Sequence, residues 1–298
     1  MPYQIRLACN YYEETAELVR QGKIDIDAFK YPSLGFQMKV FDDPTMETYE
    51  RWIQETQRLR PVMIHGLGQR GNDIGAEDFR EKFSPDTARR IFSLAGVKGA
   101  SLHLCGGDTG YTAARRKQII LDNISFLKDS LGKLEFLSLE NVDGNPFSDL
   151  FYNDVCVQPD FIREIVEEAD VDFLLDISHA YGSATQLDMD VREYISRLPL
   201  NRLYEIHING WMRTETGLMA HTKIHPEGYK LLGEVVEHCW KGGEAAGCSG
   251  TRYVTLEYGR GDDRLKAGIP LMREGRINEL AMEEMTEQIA NLNMLLRS

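Results

Sequence analysis

The chain has 298 residues, 42% hydrophobic and 27% charged, which is enough apolar material for a large core and excludes a disordered chain. Its 47 acidic side chains outnumber 34 basic ones, and the formal charge of −13 argues against nucleic acid or an acidic membrane surface as partner, because phosphate binding needs concentrated cations. No run reaches the roughly 18–20 apolar residues of a membrane span, the N-terminus has no secretory pattern, and the five cysteines (Cys9, Cys105, Cys156, Cys239, Cys248) form no C-x-x-C pair, so a cytoplasmic enzyme is expected.

Residues 3–9 read as a first strand, and residues 11–21 as a helix that stops near Gly22. Residues 24–29 alternate apolar and polar and predict strand two. Asp43 and Pro44 supply a capping acid and a first-turn proline, opening a helix that runs to about Arg60. Strand three is 61–65, Ser84-Pro85-Asp86 opens the next helix, and strand four is 99–104. Residues 112–130 place Ile119, Ile120, Ile124 and Leu127 at helical spacing. The second half repeats the alternation: strand five at 134–140, a helix at 159–168, strand six at 171–177 and a helix at 188–197. Strand seven follows at 203–208, then a helix at 226–241, strand eight at 251–257 and a final helix at about 277–297.

Eight strand–helix alternations require a parallel sheet and point to a (β/α)8 TIM barrel, one α/β domain over residues 1–298 with its active site at the C-terminal face of the strands. A doubly wound open sheet is the competing fold, but no G-x-G-x-x-G follows strand one. The longest connections (66–84, 141–158, 208–225 and 258–275) all lie on the face where a barrel keeps its site.

The strand endings share one pattern: an apolar run stops on a histidine or a carboxylate, as in Phe173-Leu-Leu-Asp-Ile-Ser-His179. Of seven histidines, His65, His103, His179, His207, His221 and His225 lie at or just beyond strand C-termini, and only His238 sits inside a helix. A single histidine there is ordinarily a hydrogen-bonded structural residue, and a single carboxylate ordinarily a cap, a role open to both Asp176 and Glu140. Taken together they converge, and imidazoles mixed with carboxylates suit zinc, iron or manganese. Eight candidate ligands (His65, His103, Glu140, Asp176, His179, His207, His221, Glu257) exceed the roughly three that one catalytic ion takes. Two or three ions sharing a bridging carboxylate fit that count, with Glu140 the natural bridge and Glu140, Asp176 and Glu257 the catalytic candidates.

Other residues carry less information. Asn141 follows Glu140 and is placed either to bond substrate or to orient a carboxylate. Trp211, Arg213 and Lys223 are candidates for an anionic substrate group, with plain loop solvation as the alternative. Gly106-Gly107 is a substrate approach or a turn, Cys105 reads as core, and Arg115-Arg116-Lys117 as a solvated helix face. No serine nucleophile elbow or P-loop is present.

The order His, His, Glu, Asp-x-x-His, His, Glu resembles the xylose-isomerase-like TIM-barrel superfamily. More closely, the chain resembles the multinuclear non-haem iron-dependent oxidative enzymes, a family long known as a bacterial domain of unknown function. Pro61–Leu67, Ser138–Asn141, Leu174-Leu-Asp176 followed by Tyr181, and the run Ser196–Gly210 carry the likeness. The resemblance implies two or three irons (Fe2+/Fe3+) and the use of dioxygen to modify cysteine or another side chain of a ribosomally made peptide. It also implies a small partner protein that presents the peptide. By position it implies His65, His103 and Glu140 on one iron, Glu140, Asp176, His207 and Glu257 on a second, and His179 on a third. Two departures stand out: His221 and Lys223 occupy the places of an Asp and a His, and Lys30 ends strand two where an acid is often seen. An ammonium is a poor ligand, so two-ion and three-ion sites both stay open. A zinc- or manganese-dependent sugar or hydroxy-acid isomerase, with Glu140 or Glu257 as base, is the alternative. A non-catalytic docking subunit is a third reading, and the charge disfavours an endonuclease.

Overall fold

The strands are short apolar runs buried on both faces, as a parallel sheet sheathed in helices requires; Phe173, Leu174 and Leu175 are all fully buried. A computed structural model describes residues 3–31, 46–67, 74–104, 111–142, 155–214, 217–241, 250–259 and 279–297. Its strands are β1 (Gln4–Asn10), β2 (Ala28–Tyr31), β3 (Val62–Ile64), β4 (Gly99–His103), β5 (Phe136–Glu140), β6 (Asp172–Asp176), β7 (Leu203–Ile208), β8 (Gly210–Thr214), β9 (Gly217–Thr222) and β10 (Thr251–Leu256). The helices are α1 (Glu13–Arg20), α2 (Met46–Gln57), α3 (Phe79–Lys82), α4 (Pro85–Ala95), α5 (Ala113–Leu131), α6 (Pro159–Glu168), α7 (Ile177–Gln186), α8 (Val191–Arg197), α9 (Pro226–Val236) and α10 (Glu279–Arg297).

Eight strands pair in the order β3-β2-β1-β10-β7-β6-β5-β4, every pair parallel. The two ends meet where His65 bridges to Ser101 and the Gly66 N–H donates to the Ser101 carbonyl at 2.8 Å. The ring therefore follows chain order and closes, which rules out the open doubly wound sheet. The structure is a (β/α)8 TIM barrel. No helix among the described residues is long and apolar enough to cross a membrane.

Local signals set most boundaries. The Ser84 hydroxyl accepts from Thr87 N at 3.3 Å, Pro85 fills the first turn of α4, and Gly96 ends it at φ 64°. Along α5, Ile120, Ile124 and Leu127 form the buried stripe, each contributing about 1.5–3 kcal/mol of burial.

Three elements differ from expectation. Strand two lies at Ala28–Tyr31; Ile24 and Ile26 are buried, but outside the strand. The helix α7 begins directly after β6, with no loop between them. The connection after β7 is an antiparallel hairpin, β8 with β9. Gly210 is indispensable at its base, since a Cβ there would sit 1.8 Å from the Lys223 carbonyl oxygen. The expected helix start at Asp43-Pro44, Cys105, Gly106-Gly107, Cys248 and parts of the loops 66–84, 141–158 and 258–275 lie outside the described residues.

Candidate metal centre

Residues two apart on a strand share a face, so each strand delivers an inward pair. The pairs are Ser101 and His103 on β4, Ser138 and Glu140 on β5, and Glu205 and His207 on β7. Thr255 of β10 is followed by Glu257, just past the strand end. Register sets His103 beside Glu140 and Asp176 beside His207.

Glu140, fully buried, is the centre of the resulting cluster. Its Oε2 lies 3.2 Å from His65 Nε2 and 3.4 Å from His103 Nε2. Its Oε1 lies 3.4 Å from His207 Nδ1 and 3.4 Å from His179 Nδ1. His207 Nδ1 is also 3.3 Å from Glu257 Oε2. Two sets of ligand atoms each fall within 4.8 Å of one another: His65, Glu140 and His207; and Glu140, Asp176, His207 and Glu257.

Several ligand candidates are held from behind. His65 Nδ1 is 3.3 Å from the Ser101 carbonyl, and that contact turns Nε2 inward. His179 Nδ1 is 2.9 Å from the Asn141 carbonyl. Asp176 caps α7, its Oδ1 accepting from His179 N at 2.8 Å and from Ser178 Oγ at 2.7 Å. Its Oδ2 accepts from Asn209 Nδ2 at 3.0 Å. The capping role and membership of the cluster therefore coexist in one carboxylate. Asn141 bonds the Asp176 backbone in both directions, Nδ2 to the carbonyl at 3.0 Å and Oδ1 from the N–H at 2.8 Å.

His221 stands at the rim, its side chain 31% exposed and Nδ1 3.6 Å from Glu257 Oε2. Its φ of 64° is left-handed, an uncommon conformation for a side-chain-bearing residue. The N–H accepted by Asn209 Oδ1 at 2.8 Å and the Gly259 N–H on its carbonyl at 3.0 Å hold it there.

The remaining candidates lie elsewhere. Trp211 is buried, stacks on Tyr181 at 4.4 Å and packs edge-on against His225 at 5.2 Å, an arrangement that anchors the hairpin. Lys223 Nζ pairs with Glu287 of α10 at 2.6 Å on an exposed surface. The Arg213 side chain lies outside the described side chains. Three residues escaped the sequence reading, Glu205, Asn209 and Ser178, and the sequence marks Lys30 only for its place at the end of strand two. The period-two rule applied backwards from His207 would have flagged Glu205 as inward-facing.

Burial and charge compete across the cluster. Burial pushes His65 down to about 3, and it pushes His103 down against the pull of Glu140. Burial also works against the Glu140 carboxylate, but His103, His207 and His65 together hold it well below the carboxylate range. His207 goes the other way: burial disfavours its cation, and Glu257 and Glu140 override that and hold it well above the imidazole range.

Both oxygens of Glu140, His65 Nε2 and His207 Nδ1 are buried with no hydrogen-bond partner. Leaving such groups unsatisfied costs about 1–3 kcal/mol each, more for charged ones. Once His207 gives up its proton, its Nδ1, His65 Nε2 and the Glu140 oxygens are acceptors facing acceptors, and a divalent cation would satisfy them together. The mixed nitrogen and oxygen set fits iron, zinc or manganese.

The profile of the family described as RiPP precursor modification enzyme MbnB/TglH/ChrH matches residues 42–242, more than half of the chain. The chain belongs to this family. A UPF0276 protein of Pseudomonas aeruginosa is 34% identical over 98 residues, which cover 33% of this chain and 32% of that protein. Another, of Acaryochloris marina, is 32% identical over 92 residues, so the chain spans about a third of the length of the relatives it matches first. Among solved structures, a xylose isomerase domain containing protein from Salmonella typhimurium superposes with a TM-score of 0.60 at 13% identity, covering 98% of this chain and 97% of that one. The IOLI protein, solved with a binding zinc atom, gives 0.62 at 13% identity, covering 97% and 99%. These likenesses show that this member of the MbnB/TglH/ChrH family shares its barrel fold with both structures.

Proposed function

We propose that this protein is a cytoplasmic oxidoreductase that modifies a side chain, cysteine foremost, of a ribosomally made precursor peptide, using dioxygen and two or three irons. The observation that carries this reading is Glu140, a buried carboxylate approached by four imidazoles with neither oxygen hydrogen-bonded, in a chain of the RiPP precursor modification family. In this reading His65, His103 and Glu140, whose Oε2 both imidazoles approach, hold one iron, and Glu140, Asp176, His207 and Glu257 hold a second. A third draws on His179 and His221, whose rings are 6.3 Å apart. Iron, when bound, supplies the electrons for dioxygen reduction and the Lewis acidity that favours a substrate thiolate.

The chain's own residues do the rest. Asn141 and Asn209 fix Asp176 from two sides, so its carboxylate does not reorganise during turnover. The near-complete burial of Glu140, Asp176 and His207 keeps water from a reactive centre. His221 is the most exposed of the cluster histidines and lies nearest to solvent. A small partner protein presenting the peptide is part of the same reading.

The test is oxygen uptake by anaerobically purified, iron-loaded protein on addition of a cysteine-containing precursor peptide, with the peptide's mass change read in parallel. Uptake coupled to a mass change supports the proposal. Activity with zinc or manganese on a sugar or hydroxy acid, and no oxygen uptake, would replace it with the isomerase.

A further inference from the structure

Beneath the cluster lies a second polar centre that the proposed chemistry does not use. Glu205 is fully buried on β7, two residues before His207 and on the same inward face. Its Oε2 accepts from Lys30 Nζ at 2.6 Å and from Ser101 Oγ at 3.2 Å. Its Oε1 accepts from Thr255 Oγ1 at 2.6 Å. Lys30, only 1% exposed, also donates to Ser101 Oγ at 3.0 Å, and Ser138 Oγ donates to the same oxygen at 2.8 Å. Donors from β2, β4 and β10 thus clamp the carboxylate, and β5 supports the Ser101 hydroxyl.

Glu205 Oε1 lies 3.3 Å from His207 Nε2. That nitrogen is buried, and the pair falls short of hydrogen-bond geometry. The opposite nitrogen, Nδ1, faces Glu140 and Glu257 at 3.4 and 3.3 Å. An imidazole between a fixed carboxylate and a metal site has one stable tautomer: N–H toward the carboxylate, lone pair toward the metal. Because Glu205 is clamped, a small rotation of the ring rather than of the carboxylate completes the bond.

We infer that Glu205 and Lys30 are positioning residues, with Glu205 holding His207 through Nε2–H so that Nδ1 is the ligating nitrogen, and Lys30 holding Glu205. The inference rests on the metal-centre reading above. A carboxylate without Lys30 would be buried and uncompensated, and an imidazole without Glu205 would be free to turn its other nitrogen inward. Lys30 thus has a role at the end of β2 that a second acid could not fill, because an acid facing Glu205 would repel it.

The test uses the full chain, stripped by chelator and titrated with zinc as the probe metal. Two-dimensional 15N–1H spectra of histidine-labelled, zinc-loaded protein should show His207 protonated at Nε2 and zinc-shifted at Nδ1. Glu205→Gln should weaken one zinc site about 10–100-fold and leave a site held by His65 and His103 near its original affinity. Thr255→Val, which removes only the hydroxyl on Oε1, should shift the same site by less and keep a cooperative melt. Lys30→Met combined with Glu205→Gln, which balances the charge, should recover fold stability but not zinc affinity. Zinc bound through Nε2, or unchanged affinity in both Glu205→Gln and Thr255→Val, overturns the inference while leaving the metal centre standing. No zinc taken up by the unaltered protein overturns both.

Discussion

Two buried polar rows sit one above the other in this barrel, two residues apart on the same strands, and they are satisfied in opposite ways. The lower row is donor-rich: Lys30, Ser101, Ser138 and Thr255 surround Glu205, and both its oxygens are bonded. The upper row is acceptor-rich: the Glu140 oxygens and His65 Nε2 face one another with no proton to share. A chain can close the first kind of network with its own side chains. The second kind needs a cation from outside, a metal ion or protons, and His207 supplies the proton in the metal-free protein because Glu257 and Glu140 outweigh its burial.

The difference can be broken most severely at Glu140. Glu140→Ala removes the shared carboxylate, and metal should no longer survive gel filtration in any amount, as read by elemental analysis. The lower row breaks differently. Lys30→Met leaves Glu205 buried without its cation and should cost about 3–5 kcal/mol in urea unfolding, whether or not metal is present. In chelated protein Glu140→Gln should cost less than Lys30→Met, since the upper row is not closed to begin with; an equal loss would erase the distinction between the rows.

Acid and base should separate the rows in the chelated protein. Glu205 is buried, yet Lys30 draws it down to about 2, below its unfolded value of about 4.3. Its contribution is therefore present above about pH 4.3 and lost as pH falls toward 2. His207 is raised, so its contribution is full below about pH 6.5 and lost as pH rises through its folded value. Metal binding must expel that proton, so zinc affinity should rise with pH across the same interval. The smallest expected effect is at Lys223, whose exposed pair with Glu287 contributes at most about 1 kcal/mol. Lys223→Met should leave metal content unchanged; a loss would return this residue to the site.

The barrel and the upper row were legible in the sequence for one reason: a parallel strand buried on both faces reads as an apolar run, and a polar residue at its end interrupts that run. Phe173–Asp176 and Leu203–His207 both show it. The lower row was hidden because Glu205 sits mid-strand, where one charged residue looks like an outward-facing position. Lys30 was read as the end of β2, and nothing local says that its ammonium finds a carboxylate on β7. The helix α7 escaped because it starts on the ligand itself, without a loop, and carries Gly182, Ser178, Ser183 and Thr185, which are weak helix formers. Its stability comes from the Asp176 cap and from burial, which are tertiary facts. The hairpin escaped because Gly210–Thr214 and Gly217–Thr222 lack clean alternation; its Trp211 anchor on Tyr181 joins residues from different elements.

The central claim is that the upper row is a metal centre built around one shared carboxylate. Elemental analysis of anaerobically purified protein tests it most directly, with the unaltered chain and Glu140→Gln measured side by side. The account predicts two or more irons per chain in the first and a loss of all of them in the second. A single ion per chain, or a count that survives loss of the Glu140 charge, would contradict it.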